Sequence, residues 1–172
     1  MLKLRKNKKG FTLVELIVVI AIMAVLAGTI AGVTVSQLNK QTNNTAQNEV
    51  DTLIGDFKSF LLDYRLPASK PDEVTLNAGE TWSAEDGITT ISEMKYALTE
   101  FATDAKATKG DEILTEIPTG DNPILPKAGT HKFVFKVETV DSKLKVTFSC
   151  QGKGTNAKVI KAEYTYSDVL AG

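Results

Sequence analysis

The chain has one cysteine, Cys150, and one histidine, His131. A lone cysteine excludes an intramolecular disulfide and any thiolate metal site, and a lone histidine excludes a His-pair metal site or a His dyad. Cys150 therefore reads as a small packed side chain and His131 as a residue at a strand edge. No Ser, His and acid constellation can be assembled around one imidazole, so nothing points to an enzyme or to a cofactor. Acids are missing from the first ten residues, which hold Lys3, Arg5, Lys6, Lys8 and Lys9. Beyond Gly10 the balance reverses, with 15 basic residues against 21 acids, or −6. This body lacks the clustered Lys and Arg that phosphate binding requires, so no direct nucleic-acid binding is expected.

Charge is also nearly absent from the 25 residues Phe11 to Val35, where Glu15 stands alone. As a helix rising ~1.5 Å per residue the run reaches about 37 Å, enough to cross a hydrocarbon core of ~30 Å. Leu13, Val14, Leu16, Ile17, Val18, Val19, Ile20, Ile22, Met23, Val25 and Leu26 cover its whole circumference. A helix apolar all round belongs in lipid or among other helices, and the basic leader then stays on the cytoplasmic side. An ordinary cleaved signal peptide does not fit. The run exceeds the usual ~7–15 residues, and no Ala-x-Ala triplet follows it. A plain signal anchor leaves Glu15 unexplained, and an ionisable side chain within a membrane segment is costly enough to suggest a function.

The stretch Lys8-Lys9-Gly10-Phe11-Thr12-Leu13-Val14-Glu15-Leu16, followed by the apolar run, resembles the leader and mature N-terminus of the type IV pilin family. The resemblance implies a prepilin peptidase that cuts between Gly10 and Phe11 and methylates the new amine of Phe11. It also implies a pilus assembly platform, a precursor held in the plasma membrane, and a homo-oligomeric extracellular filament at the cell surface. Within that filament Glu15 would pair with the Phe11 amine of a neighbouring subunit.

Elementary chemistry agrees with each step. Gly10, lacking a Cβ, lets a peptidase approach the backbone closely. Cleavage turns a neutral amide into an amine of pKa ~7.7–8.0, cationic at neutral pH, and methylation keeps the charge. A carboxylate among apolar helices is far less costly with such a partner than without one. A pseudopilin of a type II secretion or DNA-uptake (competence) machine shares this logic and is the alternative. The chain length and sizeable head lean toward a pilus. A monomeric membrane-anchored binding module would keep its leader and would not need Glu15. Two features depart from the family pattern. Many members close a C-terminal loop with a disulfide, which this chain cannot form. Many carry a proline in the apolar helix, where this chain has Gly28 and Gly32, so helix loosening or close helix packing there falls to glycine.

From Ser36 the sequence turns polar without a Gly or Pro, so the helix is expected to continue. Val50, Leu53, Ile54, Phe57, Phe60, Leu61 and Tyr64 then fall on one face, and Pro67 ends the pattern near Arg65. Residues 66–89 read as an irregular connection. Thr90 and Glu93 have capping-box spacing ahead of a short helix over about 91–106. Residues 107–130 read as a long loop, and its Asp111, Glu112, Glu116, Asp121 and Asn122 as solvated acids, since their spacing fits no EF-hand. Gly152-Lys153-Gly154-Thr155 reads as a hairpin turn and not a phosphate loop. Three period-two segments around residues 132–138, 143–148 and 159–166 predict an antiparallel meander covered by the Val50–Tyr64 face. The expected fold class is α+β, a long N-terminal helix packed on a small C-terminal antiparallel sheet of about three strands. The organisation would be a 1–10 leader, an 11–35 hydrophobic helix, a 36–65 amphipathic continuation and a 66–172 head.

Overall fold

A computed structural model describes residues 10–83, 87–109, 113–117, 124–130 and 132–166. His131 and the loop positions Asp111, Glu112, Asp121 and Asn122 lie outside the described residues. The chain divides into two compact units, Met1–Leu38 and Asn39–Gly172. Helix α1, Leu13–Asp63, runs without a break through the end of the first and the start of the second.

In the first unit every large apolar side chain from Phe11 to Val35 is between 47% and 92% exposed. This stretch of α1 is long and apolar enough to cross a membrane.

The second unit is α+β. In its part of α1, Ala46, Val50, Leu53, Ile54, Phe57 and Leu61 are buried at helical spacing. Helix α2, Ile91–Lys109, lies against them through Phe101, whose ring sits 5.2 Å from Phe57 and 5.5 Å from Phe60. Phe148 of the sheet meets Phe57 edge-on at 6.0 Å. Phe57 is thus the point where both helices and the sheet converge, and it has no exposed surface. The C-terminal end of α1 is closed by Arg65, whose guanidinium donates to the carbonyls of Leu62 (3.4 Å) and Tyr64 (2.9 Å). Pro67 then holds Leu66 out of the helical region.

The predicted meander is present as β2 (Phe133–Val140), β3 (Lys143–Gln151) and β4 (Val159–Tyr166), paired antiparallel. Phe133, Phe135 and Val137, then Leu144, Val146, Phe148 and Cys150, then Ile160 and Ala162 are buried toward the helices. The alternation of β4 and of most of β3 follows from burying one face, whereas Val134 of β2 and its cross-strand partner Ser149 of β3 are buried as well. A fourth strand, β1 (Ile113–Glu116), was not expected. It joins β2 in parallel, giving the order β1-β2-β3-β4. The stretch read as loop over 107–130 is corrected accordingly, and α2 runs three residues further than 106. Ile113 and Leu114 are the apolar residues of β1, but the run is too short, and too close to Gly110 and Pro118, to stand out.

The opposite sheet face is a charge lattice. Glu163 accepts from Lys145 at 2.8 Å and Lys161 at 2.6 Å, which hold its carboxyl down at about 2. Lys136 pairs with Glu138 at 2.6 Å. Such exposed pairs add little stability but oppose edge-to-edge aggregation of the sheet.

Asp141 (φ 51°) and Ser142 (φ 62°) form the two-residue β2–β3 connection, both left-handed as a type I′ turn requires. Serine bears a steric penalty there that glycine escapes. Ser142→Gly should raise stability by about 0.5–1 kcal/mol after glycine's extra unfolded-state entropy is subtracted. Thermal unfolding of the purified chain should move up by a few degrees. An unchanged or lower midpoint would show that the serine hydroxyl compensates its strain.

Candidate functional site

Among the described residues up to Leu38, Glu15 is the sole charged side chain. It occupies the third position of α1, behind Thr12. The Thr12 amide and hydroxyl both donate to Glu15 Oε2 at 2.8 Å, and the Glu15 amide donates back to Thr12 Oγ1 at 3.3 Å. This is a capping box. It satisfies otherwise orphaned donors at a helix start and places a carboxylate where the helix dipole favours negative charge. Oε2 takes both Thr12 donors, and among the described residues no donor reaches Oε1. The two Thr12 bonds therefore fix the orientation of the carboxylate.

Phe11 lies at the entry to this turn, 92% exposed, with the exposed Gly10 before it. The sequence-predicted residues Gly10, Phe11 and Glu15 thus fall within six residues at the helix start. Thr12 is the functional neighbour that sequence reasoning passed over. Its signal was available, because Thr12-x-x-Glu15 has the same spacing as Thr90-x-x-Glu93.

Gly28 and Gly32 lie further along α1, away from that cluster. A Cβ built on either meets nothing within 4 Å in this chain, so neither glycine is demanded by packing within the chain. Between and beside them, Thr29 Oγ1 donates to the Leu26 carbonyl at 3.0 Å and Thr34 Oγ1 to the Ile30 carbonyl at 2.9 Å. Hydroxyls bonded back to the preceding turn compete with the helix ladder and weaken it.

Other chemistry recedes. Cys150 is buried, and burial first, then the nearby Glu49, pushes its thiol up to about 11, which makes it an inert core residue. The Gly152–Thr155 segment is the β3–β4 turn. The Asn43 amide side chain clasps it, accepting from Lys153 N at 2.7 Å and donating to Lys153 O at 3.0 Å. Gly152 is obligatory there, since a Cβ would stand 2.5 Å from the Lys158 carbonyl. Glu116 pairs with Lys95 at 2.6 Å.

A family model, the prokaryotic N-terminal methylation motif, matches residues 5–31. The match spans the basic residues from Arg5 to Lys9, the Gly10–Phe11 junction, Glu15 and Gly28. No curated protein and no solved structure matches the chain.

Proposed function

We propose that this chain, which carries the type IV prepilin signature, is the subunit of an extracellular type IV pilus filament, cleaved between Gly10 and Phe11, methylated at Phe11 and polymerised through its N-terminal helix. The observation that carries the reading is the coincidence of the methylation motif with a bare apolar helix whose sole charge, Glu15, is oriented at the end next to Phe11. Before assembly lipid covers the helix. In the filament the helices of other subunits replace the lipid, and the cleaved Phe11 amine supplies the cation that Glu15 Oε1 can accept. The organisation would be a leader to residue 10, a membrane and filament-core helix over 11–35, its continuation over 36–65 and a head from 66. Partners would be the prepilin peptidase, the assembly platform and further copies of the chain. Electron microscopy of cells with and without the gene, with mass spectrometry of sheared filaments, tests this reading. Absence of the chain from any surface filament would favour the pseudopilin alternative.

Gly10→Val should block maturation, because a branched side chain at the scissile position displaces the peptide from the peptidase. The cleaved fraction, read as a gel shift, should fall at least about tenfold. Cleavage at the parental level would dissociate Gly10 from processing.

Gly28 and Gly32, with Thr29 and Thr34, would let α1 loosen once protein replaces lipid around it. Each glycine weakens the helix by about 1 kcal/mol relative to alanine. Gly28→Ala with Gly32→Ala keeps both side chains small while raising helix propensity. Cryo-EM of the variant filament should show this segment more helical than in the parent. A fully helical parent segment would leave close helix packing as the role of both glycines.

A further inference from the structure

Helix α2, the loop over residues 73–77 and Glu116 of β1 enclose an open groove of about 370 Å³. Its walls carry Glu73, Glu100 and Glu116 against one cation, Lys95, and Lys95 is engaged by Glu116 at 2.6 Å. Glu73 and Glu100 form no ion pair among the described residues. Both lie close enough to the Tyr96 phenol that, after burial, they add to the upward push on its pKa. Two carboxylates without an ion-pair partner among the described residues, beside an aromatic ring, suit an ammonium group, through Coulomb attraction and contact with the ring face.

The same chain presents a complementary surface elsewhere. The outer sheet face carries Lys136, Lys143, Lys145 and Lys161 against Glu138 and Glu163, a surplus of two positive charges. The Lys136 and Lys161 side chains are 56% and 58% exposed despite their ion pairs. Lys143 is exposed beside the Asp141-Ser142 turn.

We propose that the acidic groove receives lysines from the outer sheet face of a second copy of this chain. The two surfaces differ, and groove against groove would repel, so the contact joins groove to sheet face, and in a filament such a contact is heterologous. A heterologous contact propagates from copy to copy, and it closes into a ring or continues as an open helix. This inference rests on the filament reading and adds to it a head-to-head register set by charge.

Zero-length carboxylate–amine cross-linking of the full chain tests it. Chains with Glu73→Gln and Glu100→Gln are co-expressed with chains with Lys136→Arg, Lys143→Arg and Lys161→Arg in a host with prepilin peptidase and an assembly platform, so that a link between these positions can form only between copies. Membranes and sheared filaments are both treated. Peptides joining Glu73 or Glu100 of one copy to Lys136, Lys143 or Lys161 of another are expected. In parallel, Glu73→Lys with Glu100→Lys should reduce filaments at least about tenfold without lowering the thermal midpoint, and added Lys143→Glu with Lys161→Glu should restore them to within about threefold. Absence of those cross-links from membranes and filaments alike, or parental filament yield from the groove reversal alone, overturns the docking. A parent that is cleaved yet forms no filament overturns the filament reading instead, and the membrane cross-links still decide the contact.

Discussion

Replacing Glu15 with valine is expected to leave a precursor that inserts and is cleaved but no longer assembles. Insertion improves slightly, because the sole charge in the span is removed. The Thr12 amide and hydroxyl lose their shared acceptor, a local cost at an exposed helix end. The larger loss falls on assembly, where a buried Phe11 amine would have no carboxylate to meet. Truncating one side of a desolvated charge pair weakens an interface by far more than tenfold. Fractionation should therefore find processed subunit in the membrane at parental amounts, and sheared filament reduced at least about tenfold. Thr12→Val separates the two effects, since it removes the hydroxyl donor and keeps the charge. It should reduce filaments less than Glu15→Val does. Parental filament yield from Glu15→Val as sole subunit would contradict the pairing.

The second large effect concerns the head. Glu93 has no exposed surface, and its carboxylate accepts the amides of Ser83 (2.6 Å), Thr89 (2.8 Å) and Thr90 (2.9 Å). It closes the α2 capping box with Thr90, whose hydroxyl takes the Glu93 amide at 3.2 Å. Glu80 reinforces the same helix start, accepting from Ile91 N at 3.1 Å and from the Ser92 hydroxyl. Glu93→Ala removes the shared acceptor of three part-buried amides, at about 1 kcal/mol or more each, so a loss of about 3–5 kcal/mol is expected. That is a large part of a typical domain stability of about 5–15 kcal/mol. The thermal midpoint of the detergent-solubilised chain should fall by more than about 10 °C. Glu93→Gln keeps one acceptor oxygen and should lose less. A fall under about 2 °C for the alanine variant would mean that water replaces the carboxylate at no cost.

Local patterns made most of the second unit legible. The Val50–Leu61 spacing, the Thr90/Glu93 box and the period-two alternation of β2, β3 and β4 are each visible within a dozen residues, and burial of one face is what imposes them. Strand β1 was hidden because it is four residues long and pairs in parallel with a strand some twenty positions away, a contact that leaves no local mark. Glu80 was hidden for a related reason. It caps α2 from a loop eleven residues upstream, and loop composition does not reveal which carboxylate folds back. At the N-terminus the motif pointed to Gly10, Phe11 and Glu15, and the Thr12-x-x-Glu15 spacing, although readable, was overlooked beside it.

The most direct measurement is the mass of the N-terminal peptide of the exported subunit. The filament reading predicts a chain that begins at Phe11 and carries one added methyl group on its amine. A subunit that retains Met1 in the filament, or a mature terminus anywhere beyond Val25, would contradict it.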